Sequence, residues 1–142
     1  MRCLLVEDNP ADVALVRHAL KDTAPPVELQ VVEDGEAAVD FLSQCASYTA
    51  TPCPDVILLD LNLPKKNGQD VLQELKRHPT LHVIPVVVFT STGEPYEVHR
   101  CYTLGANAFL TKPMELEAYI AVVRTCVAFW ELCLVSTLAR GQ

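Results

Sequence analysis

The chain is short of positive charge. Its 142 residues carry 11 Lys and Arg against 18 Asp and Glu, for a net charge of −7. No basic run occurs, which argues against direct nucleic-acid binding, because neutralising phosphates takes clustered Lys and Arg. Long hydrophobic runs are also missing. From Ala118 to Ala139 the longest uncharged run is eight residues, interrupted upstream by Arg124 and Glu131, well short of the roughly 18–20 a membrane span needs. The N-terminus is apolar only from Cys3 to Val6 before two acids, so no secretory signal is read there. No G-x-x-x-x-G-K-[ST] and no G-x-G-x-x-G occurs, so no nucleotide-binding loop is expected. The six cysteines form no C-x-x-C pair and no His-matched cluster, and are expected to be reduced thiols. The chain reads as soluble and cytoplasmic.

What is present is a globular composition, with half the residues apolar and 20% charged, and enough length for one domain. Apolar runs alternate with helical patterns. The strand-like runs are Cys3–Val6, Val27–Val32, Val56–Leu59, Val86–Phe89 and Ala108–Thr111. Asn9-Pro10, Asp34 and Asn67-Gly68 stand near helix starts, a fourth helix is expected after Gly93, and Gly105 is its stop. Val56-Ile57-Leu58-Leu59 has the unbroken apolar character of a central parallel strand covered on both faces. Five βα units with short connections predict an α/β chain. The expected architecture is a three-layer α/β/α, flavodoxin-like (βα)5 fold, with a parallel sheet ordered 2-1-3-4-5 and an extended C-terminal helix. Sites in such folds lie at the carboxyl ends of the strands, near the switch point between strands one and three.

Those ends are polar. The first strand runs into Glu7-Asp8, the third into Asp60, the fourth ends at Thr90, and the fifth leads to Thr111-Lys112-Pro113. Three converging acids repel one another unless a cation joins them, and Mg²⁺ is the hard oxygen-seeking ion that fits. Asp8 and Asp60 are expected as direct ligands, Glu7 through a water of the ion's shell, and the backbone carbonyl of Asn62 as a further donor. A carboxylate beside a metal can attack phosphorus, with Lys112 and the Thr90 hydroxyl stabilising the phosphoryl oxygens. With no nucleotide loop, the phosphoryl donor must be another protein or a small phosphodonor.

Val6-Glu7-Asp8-Asn9, Leu58 to Pro64 with Gly68, Val88-Phe89-Thr90-Ser91 and Thr111-Lys112-Pro113 together resemble the receiver domains of two-component response regulators, over roughly residues 1–125. The resemblance implies that Asp60 is the phosphoacceptor, that Glu7 and Asp8 bind Mg²⁺, that Thr90 moves toward the phosphoryl group and that Lys112 pairs with it. It also implies a cis Lys112–Pro113 bond, an aromatic switch at Phe109, and a tuning of dephosphorylation by Asn62 and Thr92. The phosphodonor would be a histidine kinase. Asn9-Pro10-Ala11-Asp12, Leu61 to Gly68, the long loop before Asp55 and Phe129-Trp130 resemble, more narrowly, single-domain regulators paired with bacterial phytochromes. A phosphatase of the haloacid-dehalogenase type is disfavoured because Asn62 replaces its second acid. An EF-hand is disfavoured by Pro64.

Residues 126–142 extend the last helix and leave no room for an output domain. At 100° per residue, Leu116, Ile120, Val123, Val127, Trp130 and Leu134 form one stripe expected to face the sheet. Ala118, Val122, Cys126, Phe129 and Cys133 form a second apolar face. A helix apolar on two faces is commonly buried on both, so a homodimer through Val122, Cys126, Phe129 and Cys133 is expected.

Overall fold

Val56, Ile57, Leu58 and Leu59 are all at most 1% exposed, as a strand covered on both faces requires. A computed structural model describes residues 1–47 and 51–141, with side chains described through residue 133. The strands are β1 (Arg2–Val6), β2 (Glu28–Val32), β3 (Val56–Leu59), β4 (Val86–Thr90) and β5 (Ala108–Thr111). The helices are α1 (Pro10–Ala19), α2 (Gly35–Ala46), α3 (Gly68–Arg77), α4 (Pro95–Thr103) and α5 (Leu116–Gly141), with a 3₁₀ turn at Leu81–Val83. All strand pairs are parallel and the sheet order is β2-β1-β3-β4-β5. The fold is therefore the expected flavodoxin-like one, including the long last helix.

Alternation along the strands feeds two cores. Leu4, Val6, Ile57, Leu59, Val86 and Val88 pack toward residues of α2 and α3. Leu5, Val56, Leu58, Val87 and Phe89 pack toward α1 and α5. Each fully buried Leu or Ile here contributes roughly 1.5–3 kcal/mol. Asn9, Asp34 and Asn67 cap α1, α2 and α3 with side-chain oxygens that accept from Ala11, Ala37 and Asp70 N–H groups. The helices thus start just beyond the strand ends and fix the loops between. α4 ends in a left-handed Gly105 (φ 109), with Gly105 N–H bonding Tyr102 and Ala106 N–H bonding Cys101, so the sequence stop is a Schellman turn.

The opposite end of the sheet is tied down. Lys76 of α3 donates to the carbonyls of His82 and Ile84 and to Asn107 Oδ1, at 3.1, 2.9 and 3.0 Å. Asn107 also brackets Val86, accepting from its N–H and donating to its carbonyl, both at 2.9 Å. Arg2 N–H donates to Asp55 Oδ2 at 2.7 Å, and Asp55 N–H donates to the Arg2 carbonyl.

Three expectations are corrected. Cys45 and Cys53 form a disulfide, because the end of α2 and the loop before β3 bring their Cα atoms to 5.0 Å. A spacing of eight residues carries no hint of that approach. Cys3, Cys101, Cys126 and Cys133 are free thiols, and burial pushes Cys3 up to about 12 and Cys126 up to about 11. Second, the cis peptide bond among the described residues is Ala24–Pro25, not Lys112–Pro113. The two isomers of an X–Pro bond differ by only about 0.5–1 kcal/mol, so a Thr-Lys-Pro run does not fix the choice. Third, Leu116 is 58% exposed while Tyr119 is 4% exposed. The first turn of α5 overhangs the sheet edge, and contact begins at Tyr119 and continues through Val123 and Val127. Leu134 lies outside the described side chains.

The disulfide closes a short loop, and its loss is expected to cost about 2–3 kcal/mol. Urea denaturation of Cys53→Ser, and of wild type with and without dithiothreitol, measures this. Identical midpoints in all samples would show that the bridge contributes nothing.

Candidate functional site

Parallel pairing continues one residue past the strands and sets the site. Glu7 N–H bonds the Val32 carbonyl at 3.0 Å, Asp60 N–H bonds Val6 at 3.1 Å, and Lys112 N–H bonds Thr90 at 2.7 Å. Three functional side chains therefore leave the sheet at one level. Glu7, Asp8 and Asp60 each bring one carboxylate oxygen within 4.8 Å of the others. Glu7 and Asp60 are buried, and Asp8 is exposed.

Lys112 spans the acids. Its Nζ lies 2.6 Å from Glu7 Oε1 and 3.2 Å from both Asp60 Oδ2 and Asp12 Oδ2. Burial pulls the ammonium down, but Glu7 and Asp60 outweigh burial and hold it above its ordinary value. Burial pushes the Glu7 carboxyl up to about 9, with the Asp60 carboxylate adding to the push and Lys112 opposing it. Burial also pushes Asp60 up, yet the Glu7 carboxyl and Lys112 prevail and hold Asp60 below the usual range. Of these two buried acids, Asp60 is the one kept ionised.

At the site, among the described residues, the buried Glu7 Oε2 and Thr90 Oγ1 lack hydrogen-bond partners. Such orphans cost about 1–3 kcal/mol each and mark places for something to bind. The unpaired Glu7 oxygen, together with three carboxylates around one point, fits a hard divalent cation. Asn62 is exposed, and its N–H reaches back to Asp60 Oδ1 at 3.4 Å, which ties its backbone to the same carboxylate. Phe109 is half-buried against the α2–α3 core, and its N–H bonds the Tyr102 hydroxyl at 3.0 Å. It lies on the opposite face of the sheet from Phe89. Thr92 is exposed, and its hydroxyl donates to Glu97 at 3.4 Å.

Gly68 keeps the third strand end in place. A Cβ there would sit 2.3 Å from the Asp60 carbonyl oxygen and 2.6 Å from Leu61 Cα. Both obstacles are backbone, so Gly68→Ala must move the Asp60 segment. Urea denaturation should show a loss of about 1–3 kcal/mol. An unchanged midpoint would mean that α3 yields freely.

The structure brings together the acids, Lys112 and Thr90 that the sequence placed at one sheet edge, and adds Asp12 and Tyr119, which the sequence reading did not include. Asp12 accepts the Tyr119 O–H at 2.7 Å while facing Lys112. The signal for Tyr119 was its position four residues before Val123 on the sheet-facing stripe. Asp12 carried none beyond its place in the first turn of α1.

An acidic cluster with a bridging lysine thus sits at the carboxyl edge of a doubly wound parallel sheet, in a receiver-like α/β domain. A family model, the response regulator receiver domain, matches residues 3–124, and the chain belongs to that family. Response regulator Rcp1 of Synechocystis sp. is 45% identical over 127 residues, covering 89% of this chain and 86% of Rcp1. The crystal structure of the phosphorylated cyanobacterial phytochrome response regulator RcpA superposes with a TM-score of 0.86 at 41% identity, over 91% of this chain and 92% of that one. The Mn²⁺-bound form of Rcp1 gives a TM-score of 0.84 at 44% identity, over 91% and 93% of the two chains.

Proposed function

We propose that this chain is a response regulator receiver that accepts a phosphoryl group on Asp60 from a histidine kinase and signals through its own surface. The observation that supports this most is the ionised, buried Asp60 carboxylate held between Lys112 and the Glu7–Asp8 pair. An Asp60 oxygen attacks phosphorus, forming an O–P bond as the N–P bond of the kinase phosphohistidine breaks. The imidazole nitrogen leaves with the electron pair and takes a proton from solvent. Glu7, Asp8, Asp60 and the Asn62 carbonyl would hold Mg²⁺, which neutralises charge on the transferring group when bound. Lys112 shifts from its resting contacts to pair with a phosphoryl oxygen. Thr90, whose hydroxyl has no partner, donates to another. Phe109 takes the volume that Thr90 vacates, while Asn62 and Thr92 face the phosphoryl group and set its lifetime.

The likeness to RcpA and Rcp1 supports a phytochrome-type kinase as donor, a bacteriophytochrome among them. The location is the cytoplasm, where a Cys45–Cys53 bridge is open to reduction. Among the described residues no helix is long and apolar enough to cross a membrane. The test is phosphotransfer from a purified, autophosphorylated phytochrome kinase. Label moving to this chain supports the reading, and label that stays on the kinase in the presence of Mg²⁺ overturns the pairing.

Residues 1–125 form the receiver, and the continuation of α5 serves as a dimer element. Phe129 is 55% exposed, and Val122 and Cys126 line an apolar groove of about 630 Å³ with Ala108, Leu110 and Trp130. A second copy covers this groove, and Cys133, four residues beyond Phe129 on α5, continues the dimer element. Light scattering should give a dimer mass for wild type and a monomer for Phe129→Asp. Monomer alone, with and without beryllofluoride, would refute the interface.

A further inference from the structure

We propose that Asp12 and Tyr119 form a latch that holds Lys112 in its resting place and carries the phosphorylation state of Asp60 to helix α5. The inference rests on Asp60 being the phosphoacceptor. It adds a route to α5 that does not pass through Thr90 and Phe109.

The geometry begins at Lys112. An ammonium has three N–H donors, and three carboxylates face it, from Glu7, Asp60 and Asp12. Phosphorylation turns the Asp60 carboxylate into an acyl phosphate whose charge sits on oxygens beyond the carboxyl group, so Lys112 must shift to follow that charge and another of its partners must give way. Glu7 is the closest, at 2.6 Å. Asp60 carries the phosphoryl group itself. Asp12, at 3.2 Å, is the one whose other oxygen already holds a second donor, the Tyr119 hydroxyl at 2.7 Å. It is the partner most easily released.

Release has a consequence on α5. Asp12 is partly buried, and losing its cation leaves a carboxylate whose remaining side-chain hydrogen bond comes from Tyr119. Tyr119 is 4% exposed and cannot turn toward water without moving. Its ring packs edge-on against Phe89 at 5.2 Å, and Phe89 directly precedes Thr90 on β4. Tyr119 is also the first buried residue of α5, at the start of the face that continues through Val123 and Val127. A change at Asp12 is therefore delivered to the end of α5 nearest the site. Phe109 reports on the α2–α3 face of the sheet and Tyr119 on the α1–α5 face. An acid in the first turn of α1 would serve the helix dipole with neither partner. Its position between Lys112 and a buried tyrosine needs the further explanation.

The test uses the full chain with 3-fluorotyrosine in place of its four tyrosines, read by fluorine NMR. Tyr119→Phe, which keeps the ring packing, assigns the Tyr119 resonance. Saturation with beryllofluoride and Mg²⁺ should shift that resonance in wild type, and the shift should be lost in Asp12→Asn, where no ion pair is left to break. Labelling by acetyl phosphate supplies the second readout. Asp12→Asn and Tyr119→Phe should be non-additive, the double variant behaving as Asp12→Asn alone. A Tyr119 resonance that stays fixed while other tyrosine signals move would overturn the latch, as would additive rate effects. If no resonance moves and acetyl phosphate leaves the wild type unlabelled, the phosphoacceptor reading has failed instead.

Discussion

Asp60→Asn should lose at least about a thousandfold in the rate of labelling by acetyl phosphate, the scale seen when a nucleophile is removed. The substitution is isosteric, so the fold is not at issue, and the amide has no ionised oxygen to attack phosphorus. The neighbouring acids do not substitute for it. Without metal, Glu7 is pushed up to about 9 and is paired with Lys112 at 2.6 Å, and with Mg²⁺ it would be engaged by the ion, so in neither state is it a free nucleophile. Asp8 is exposed, away from the buried contact between Asp60 and Lys112. Labelling of Asp60→Asn at a rate comparable to wild type would move the phosphoacceptor elsewhere in the cluster.

The second large effect is on stability, and its sign follows from Glu7. Its folded-state pKa of about 9 lies above the ordinary 4.5, so in the metal-free protein the native state holds a proton that the unfolded chain has released. Stability from this group is full below about 4.5 and falls as pH rises toward about 9. Asp60 and Asp12 are shifted the other way, and their contributions are lost only as pH falls through the acid range. In EDTA at pH 8, Glu7→Gln should therefore be more stable than wild type, by about 1–4 kcal/mol, because the amide is neutral without taking up a proton on folding. It should also flatten the pH dependence. Adding Mg²⁺ reverses the ranking, because wild type gains about 2.7 kcal/mol at a hundredfold excess over Kd and the variant gains less. Urea titrations at pH 6, 7, 8 and 9, with EDTA and with Mg²⁺, measure all of this. A wild-type stability that is flat across that range in EDTA would show that Glu7 does not hold the proton.

The strand ends were legible because buried parallel strands are continuous apolar runs. The first polar residue after each run marks where the sheet stops. Glu7, Asp60 and Lys112 follow such runs directly, and the βα alternation with short connections placed them on one edge. What escaped lies where the periodic signal is weak or silent. Tyr119 and Leu116 fall on neighbouring phases of α5, and only the overhang of the first turn decides which is buried. Asp12 belongs to the site through Tyr119, 107 residues away, a pairing no local pattern contains. The Cys45–Cys53 bridge depends on how the loop before β3 turns back. The isomer of Lys112–Pro113 depends on surroundings that three residues do not describe.

The ties of Lys76, Asn107 and Asp55 hold the sheet at the edge away from Asp60. At the other edge, residues 91–94, which join β4 to α4, are all exposed. The strands behave as beams built in at one end. A push at Asp60 is not shared evenly along them. It would be taken up in the exposed loop to α4, so a phosphoryl group on the proposed acceptor would have leverage on that corner of the surface and little on the far edge.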